Sequence, residues 1–190
     1  MAGELTSWNA YLKKLDGRKP NAKLATFHAR YKFAYHFEGM QIKGMAENTK
    51  NLYYLVTKVG FAYSALENLE VSLRTGHASP IIAPDLALYV RSSMPRALDQ
   101  IQKKMYLNES LRNRLVLFFD DPSASDVRPI VEQFRHSLFH GKFTPTGWGL
   151  SSGYRSTELL EGLSQVTLRH ADQTFTKWFK QQTKSGLQQT

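Results

Sequence analysis

The stretch EQFRHSLFHGKF, residues 132–143, brings together the side chains of this chain that are best suited to chemistry. It contains Glu132, Arg135, His136 and His140, which lie on one side of a helix turning by roughly 100° per residue. Histidine exchanges protons near neutral pH and binds divalent metals, while arginine holds phosphate or carboxylate oxygens. The stretch is therefore consistent with a solvated polar surface, a metal site or the active site of an enzyme.

A helix over residues 126–140 is predicted to position these side chains, with Asp126 as its N-cap and Gly141 at its end. Its apolar face comprises Val127, Ile130, Val131, Phe134 and Leu138. Phe139 lies on the opposite, polar face, close to Arg135 and the two histidines. An arginine with an aromatic residue, and no lysine, is typical of an interface core. We therefore expect the polar face to contact a ligand or a second copy of the chain; the alternative is a surface helix with one stray apolar residue.

Two histidines at i and i+4, such as His136 and His140, can also chelate zinc or another divalent metal. Glu132 lies on the same stripe of the predicted helix. The metalloprotease order, with a glutamate directly after the first histidine, is absent, and no third histidine follows nearby, although His170 could approach in space. We expect no metal and no other cofactor.

The apolar periodicity is helical nearly throughout the chain and predicts an all-α bundle of about five main helices. The predicted segments are residues 4–15, 21–37, 48–73, 86–106, 109–119, 126–140 and 155–182, with Pro95 dividing the fourth. Residues 38–50 carry glycines and are predicted to form a loop, a short strand pair or a flap. We expect a single domain over residues 1–190, with a helical extension over 1–47 and a tail over 183–190.

The composition argues against several classes of protein. The 190 residues include no cysteine, which excludes disulfides, thiolate nucleophiles and cysteine-ligated metals. The net charge of +9 favours polyanionic partners through counterion release. Lys58 interrupts the longest apolar run, so we expect a core helix there and no membrane span. The first residues lack a secretory leader, which predicts a cytoplasmic protein.

The stretch FRHSLFHG, residues 134–141, resembles the R-x4–6-H motif of the HEPN superfamily. That motif consists of an arginine, a polar residue or histidine, three further residues, a histidine and often a glycine. Arg135 matches the motif arginine, His136 the polar position and His140 the motif histidine. The placement is also similar, since the motif comes late in the chain, at the end of an apolar-faced helix that one further long helix follows.

The likeness to the HEPN superfamily extends beyond the motif. The stretch YSALENLE, residues 63–70, resembles the earlier core helix of the family, and an all-α chain of this length is similar to a HEPN bundle. The resemblance covers residues 48–182, which we expect to form a HEPN-like bundle, and it leaves residues 1–47 without a counterpart.

The resemblance implies a metal-independent endoribonuclease that acts as a homodimer, with two motif helices facing each other across one composite site. The His140 side chain of each copy would supply the base for the 2′-hydroxyl and the acid for the leaving 5′-oxygen. The two Arg135 side chains would stabilise the charge of the transition state, and His136 would orient the phosphate. The resemblance also implies RNA as the substrate, and a toxin-like or defence-linked role with an antitoxin protein as partner.

Other charged residues are candidates for supporting or RNA-binding roles. Glu132 and Glu70 are carboxylates that could hold Arg135 in place. Glu70 lies close to the apolar stripe of its helix, and we favour the interpretation that it sits at the edge of that stripe with its carboxylate in water. The candidate phosphate contacts, which are otherwise ordinary solvated residues, are Lys103, Lys104, Arg112 and Arg114.

Three further histidines lie outside the motif. His28 and His36 share a predicted helix with Arg30 and several aromatic residues and could form an RNA-stacking surface. Aromatic residues at helical spacing are more often part of the core, and we favour that interpretation. His170 lies on the apolar face of the last predicted helix and is predicted to be a hydrogen-bonded core histidine.

Two alternatives to an enzyme stay open at this point. The first is a non-catalytic HEPN-like module that binds RNA, a nucleotide or a partner protein, in which replacing His140 would leave binding largely intact. The second is an α-helical protein outside this family. In that protein the polar face of residues 132–140 would be open to solvent in a monomer.

Overall fold

Seven α-helices make up the computed structural model over the residues that it describes, which are 5–74, 79–94, 108–141, 144 and 154–186. In chain order they are α1 Trp8–Lys14, α2 Ala22–His36, α3 Glu47–Leu73, α4 Pro84–Ser93, α5 Glu109–Asp120, α6 Arg128–Phe139 and α7 Tyr154–Gly186. These ranges contain no β-strand, only an isolated antiparallel bridge between Ile82 and Asp126. The predicted all-α class is confirmed. Within the same ranges, no helix combines the length and apolarity needed to cross a membrane.

The predicted helix ends agree with the structure to within a few residues for most helices. The helix predicted over residues 48–73 is confirmed as α3, and α7 continues beyond the predicted residue 182 to Gly186. α4 ends at Ser93, just before Pro95, and the predicted continuation to residue 106 lies outside the described residues. Residues 38–46 contain neither helix nor strand, so the predicted strand pair is excluded there, and residues 47–50 belong to α3.

The central helix of the bundle is α3, against which α2, α6 and α7 all pack. Its buried apolar side chains are Leu52, Leu55, Val56, Val59, Ala62, Tyr63, Ala65, Leu66 and Leu69. Most of them follow each other at steps of three and four, as the apolar stripe in the sequence predicts. Since burying one leucine or valine side chain stabilises a fold by about 1.5–3 kcal/mol, α3 holds the three helices around it firmly in place.

The N-terminal helices belong to the same core. Trp8 and Tyr11 of α1 pack against Phe175 of α7, with ring centroids 5.5 Å and 5.8 Å away, and Phe27 of α2 lies 5.9 Å from the same ring. Ahead of α1, Thr6 donates hydrogen bonds from its amide and its hydroxyl to the carboxylate of Asp172, at 2.8 Å and 2.6 Å. The described part of the predicted N-terminal extension is thus integrated into the bundle.

A short paired segment sets the start of α6. The Asp126 carboxylate accepts hydrogen bonds from the amides of Ile81, at 2.8 Å, and Arg128, at 3.0 Å. The amide of Val127 donates to the carbonyl of Ile81, at 3.0 Å, so hydrogen bonds join the segments around Ile81 and Asp126. The predicted N-cap is wrong by one residue, because Val127 is the N-cap of α6 and makes no side-chain cap hydrogen bond, while the Asp126 carboxylate accepts from the amide of Arg128, the first helical residue.

The side chain of Arg91 in α4 holds the loop that leads to α6. Its guanidinium group donates to the carbonyls of Phe118, Pro122 and Ala124, at 3.1 Å, 2.8 Å and 2.9 Å. Two of these charge-assisted hydrogen bonds reach the loop and the third reaches the last turn of α5, and together they restrict the movement of the loop. The start of α6, the helix that carries the motif, is therefore held from two sides, by Arg91 and by the segment around Ile81.

Candidate functional site

The motif residues lie at the C-terminal end of α6. The amide of His140 donates to the carbonyl of His136, at 3.1 Å, and closes the helix. Gly141 follows with φ of +63°, a backbone conformation that glycine adopts without the steric penalty other residues meet, and its amide donates to the Leu138 carbonyl at 3.1 Å. The predicted end of the helix at Gly141 is confirmed, and it leaves the His140 side chain exposed at the helix terminus.

The two faces of α6 are those that the sequence predicts. Its apolar face is buried in the core through Val127, Ile130, Val131 and Phe134, with Leu138 partly buried. On the other face the imidazole rings of His136 and His140 lie side by side, with their centroids 4.3 Å apart and their planes 46° apart. Phe139 is 53% exposed beside them, which is unusual for a large aromatic ring on a polar face.

Arg135 lies between a carboxylate and the Phe139 ring. Its Nη2 is 3.3 Å from Oε2 of Glu67 in α3, and its guanidinium carbon is 5.7 Å from the Phe139 centroid. The distance to Glu67 is long for a charge-assisted hydrogen bond, which is typically about 2.7–2.9 Å. Arg135 is partly exposed, and the guanidinium N–H groups that do not face Glu67 can bind a second anion.

Glu67, which sequence reasoning missed, is the carboxylate that forms the salt bridge with the motif arginine. Burial raises its pKa, Arg135 opposes that shift, and the nearby negative charge of Glu132 adds to it. Glu67 lies three residues before Glu70 on α3, so both glutamates lie beside the apolar stripe of that helix. This spacing was the signal in the sequence that could have identified Glu67 as a candidate partner. The structure therefore places Arg135 next to Glu67, and neither Glu132 nor Glu70 forms its salt bridge.

Glu132 instead forms a salt bridge with Arg114 of α5, with 2.8 Å between Oε2 and Nη2. This contact ties α5 to the motif helix and places a fixed cation beside the polar face. Arg114, predicted as a phosphate contact, is thus held by a carboxylate of its own chain. Arg112 lies half-buried on the same helix, and Lys103 and Lys104 lie outside the described residues.

Glu70 occupies a position different from the one expected, because it pairs with Arg128 of α6. The two side chains form a bidentate salt bridge, with 2.8 Å from Nη1 to Oε1 and 2.7 Å from Nη2 to Oε2. Arg128 is only 3% exposed and the Glu70 side chain 11%. The interpretation that the Glu70 carboxylate lies in water at the edge of the stripe is wrong, because Arg128 compensates its charge inside the protein.

Ser79 and Tyr63 also contact the guanidinium group of Arg128. Nη1 donates to the carbonyl of Ser79 at 2.7 Å, Nη2 reaches the Tyr63 hydroxyl at 3.4 Å, and the guanidinium group lies 5.3 Å from the Tyr63 ring centroid. Burial opposes the charge on Arg128, but the hydrogen bonds that Arg128 donates to Glu70 and its electrostatic interactions with Glu70 and Tyr63 together outweigh that effect and raise its pKa. Burial likewise raises the pKa of Tyr63 to about 12, although Arg128 acts in the opposite direction. This cluster is structural and links α3 to α6.

His170 is hydrogen-bonded in the half-buried region next to this cluster, as predicted. Its Nε2 lies 2.8 Å from the hydroxyl oxygen of Ser79, which also donates to Glu70 at 3.1 Å. Burial lowers the pKa of His170, and Arg128 lowers it further, against the opposing effects of Glu70 and Asp126. His170 does not join His136 and His140 as a metal ligand: no group of three histidine, aspartate or glutamate residues in the described ranges could hold a metal ion.

The lowered pKa of His170 predicts a pH dependence of stability. A histidine that binds its proton less tightly in the folded protein than in the unfolded chain destabilises the fold once it is protonated. The free energy of unfolding should therefore be highest above pH 6.5 and fall as the pH drops through the lowered pKa of His170. Urea unfolding of wild type and His170→Gln between pH 7.5 and 5.5 measures this effect, and the variant should lose less stability over that range. An equal loss in both proteins would contradict the prediction; His36→Gln, at an exposed histidine, is the control.

Of the histidines on α2, His28 packs on the N-terminal helix, and His36 is exposed. The His28 ring stacks on Trp8, with centroids 4.0 Å apart and planes 17° apart. The interpretation of His28 as a packing residue is confirmed, and it does not form a surface with His36.

The chain was also compared with known proteins, and no family model, no curated protein and no solved structure matches it.

Proposed function

We propose that this protein is a metal-independent endoribonuclease that cleaves RNA at a composite site in a homodimer. The observation that supports this most is the arrangement at the end of α6. Two imidazoles have centroids 4.3 Å apart at an exposed helix terminus, next to an arginine whose Nη2 lies 3.3 Å from the Glu67 carboxylate. Proton exchange and phosphate binding are the two functions that RNA cleavage requires of side chains.

In the proposed reaction, one His140 accepts the proton of the ribose 2′-hydroxyl as the 2′-oxygen forms a bond to phosphorus. The bond between phosphorus and the 5′-oxygen breaks, and the second His140, from the other copy, donates a proton to that oxygen. The products are a 2′,3′-cyclic phosphate and a free 5′-hydroxyl. Arg135 stabilises the negative charge that develops on the phosphate oxygens, and His136 orients the phosphate.

The exposure of the polar face of α6 supports a homodimer. Phe139 and His140 are exposed at the helix end, and an aromatic ring beside an arginine is typical of surfaces that become buried on association. In a symmetric dimer the same face would meet itself, which places two copies of His140 near one phosphate.

A second candidate function is a non-catalytic module that binds RNA, a nucleotide or a partner protein. It is favoured by the salt bridges on the polar face. Arg135 is engaged by Glu67 and Arg114 by Glu132, so a phosphate has to compete with carboxylates of the same chain. Such competition reduces transition-state stabilisation more than it reduces binding through other contacts.

The test of the proposed enzyme is cleavage of an end-labelled, mixed-sequence RNA pool in EDTA. We expect cleavage that leaves 2′,3′-cyclic phosphate ends, because the attacking group is the neighbouring 2′-oxygen. A pool with the same sequences and 2′-O-methyl riboses is the matched control and should stay intact. Specific activity should also fall on dilution, as the dimer dissociates. Intact RNA at all protein concentrations would reject the enzyme and favour the binding module.

A further inference from the structure

An apolar groove lies directly beside the motif, between α2, α3 and the end of α6. It has a volume of about 440 Å³, within the size range of small-molecule sites, and it is lined by Ala29, Arg30, Phe33, Phe61, Ser64 and Phe139. Phe33 and Phe139 are both more than half exposed, at 52% and 53%. Since Phe139 lies between Arg135 and His140 on α6, the groove and the candidate active site share a wall.

The aromatic rings in and beside the groove pack on one another. Phe33 packs edge-to-face on Phe61, with centroids 4.8 Å apart and planes 81° apart, and Phe37 lies 5.6 Å from Phe33. Phe61 in turn lies 6.4 Å from Phe139. Aromatic rings packed in this way lose little further freedom when a flat ligand binds to them.

Close packing between α3 and α6 directs Phe139 towards the groove. A Cβ atom placed on Gly60 would lie 3.4 Å from Cε2 of Phe139 and 3.4 Å from Cδ2 of Leu138. The Phe139 ring thus lies against α3 at Gly60, on the side of α2. The ring forms the end of the groove nearest the motif.

We propose that this groove binds an unpaired base of the RNA strand whose backbone passes Arg135 and His140. This inference rests on the proposed function and identifies its substrate class as single-stranded RNA. In a regular duplex the 2′-oxygen is not in line with the bond to be broken, so the nucleotide at the cut must leave its stack. A base that leaves its stack is stabilised by aromatic side chains on which it can stack again.

The charge at the rim of the groove is complementary to this occupant. Arg30 lies at the rim, and among the residues that the structure describes no carboxylate forms a salt bridge with it. Arg135 lies at the other end, over the Phe139 ring. A groove with apolar walls and an arginine at each end suits a base flanked by two phosphates.

This assignment gives α2 a functional role. Ala29, Arg30 and Phe33 all belong to α2, so one wall of the groove comes from the N-terminal part of the chain. The motif on α6 supplies the chemistry, and the choice between paired and unpaired substrate depends on α2.

The test is binding of a fluorescent, 2′-O-methyl oligonucleotide, which cannot be cleaved, measured by anisotropy in EDTA at moderate salt. Phe33→Ala should weaken binding of the single strand about tenfold, the size of loss typical when a base-stacking aromatic side chain is removed. Phe33→Trp, which keeps a stacking surface, should restore it. Leu88→Ala, at another exposed apolar residue, is the control and should bind as wild type does. The corresponding duplex and an oligonucleotide of abasic sites should bind weakly and show no dependence on Phe33.

The outcomes separate this inference from the proposed function. Equal binding of the single strand by wild type and Phe33→Ala would overturn the base-binding groove, whether or not the protein cleaves RNA. Loss of the dimer in Phe33→Ala, seen by sedimentation, would overturn it in favour of a protein interface. Base-dependent binding without any cleavage of unmodified RNA would support the groove and reject the enzyme. Absence of binding by the wild-type protein would overturn the inference as well.

Discussion

His140→Ala is expected to lower the rate of RNA cleavage by about 10²–10⁴-fold, the usual contribution of a side chain that transfers a proton in the transition state. In the proposed dimer this substitution removes the base and the acid together, so the upper part of that range applies. Stability should change little, because His140 is exposed and follows the last turn of α6. The measurement is single-turnover cleavage in EDTA, with circular dichroism and the unfolding midpoint recorded for the same preparation.

His36→Ala is the matched control for this experiment. His36 is also an exposed histidine at the C-terminal end of a helix, in this case α2, and its ring contacts only its neighbour Tyr35 among the described aromatic residues, at 5.3 Å. Its replacement should leave cleavage unchanged. Equal cleavage by wild type and His140→Ala would show that the chemistry takes place elsewhere or comes from a contaminating nuclease.

The second large effect concerns stability. Glu70→Gln should lower the free energy of unfolding by about 3–5 kcal/mol, the cost of leaving one partner of a buried ion pair without its counter-charge. The amide has nearly the shape of the carboxylate, so packing is retained, and the loss reports on the charge and on the hydrogen bond that the amide nitrogen cannot accept. Arg128 keeps its hydrogen bond to the Ser79 carbonyl, but no other carboxylate forms a salt bridge with it in the part of the chain that the structure describes.

Glu47→Gln is the control, with the same chemical change at the surface. Glu47 forms a salt bridge of 2.9 Å with Lys50 and is 86% exposed. Exposed pairs contribute about 0–1 kcal/mol, so this variant should unfold close to wild type in urea. If Glu70→Gln also lowered the free energy of unfolding by less than about 1 kcal/mol, water or another group would have to compensate the charge of Arg128. The salt bridge between Glu70 and Arg128 would then not be the link between α3 and α6.

Helical periodicity was sufficient to predict the elements that carry the site. The stripe of α3 and the two faces of α6 follow from residue type and a fixed angle per residue, and both depend only on local sequence. The same reasoning predicted that Gly141 ends α6 and that Phe139 is exposed. The ribonuclease and the dimer stay predictions, because they depend on what the site does rather than on its local structure.

What the sequence could not supply are the partners across the fold. The predicted position of Glu70 beside the apolar stripe of its helix is correct. Whether its carboxylate is exposed to water depends on Arg128, 58 residues further along the chain. Arg128 itself is the first residue of α6, and periodicity alone assigns no partner to it. For the same reason Glu67 was missed as the partner of Arg135. Tertiary contacts of this kind cannot be read from one helix at a time.

The contacts of α1 with α7 affect the order of events during synthesis of the chain. Thr6 bonds to Asp172, 166 residues away, and Trp8 and Tyr11 need the Phe175 ring in order to pack. A chain emerging from the ribosome can form α2, α3 and α6 early, but α1 has to wait until the end of α7 has been made. Contacts this far apart in sequence are slow to form, since a long loop must close first. The nascent chain therefore carries its motif helix for some time before its core is closed.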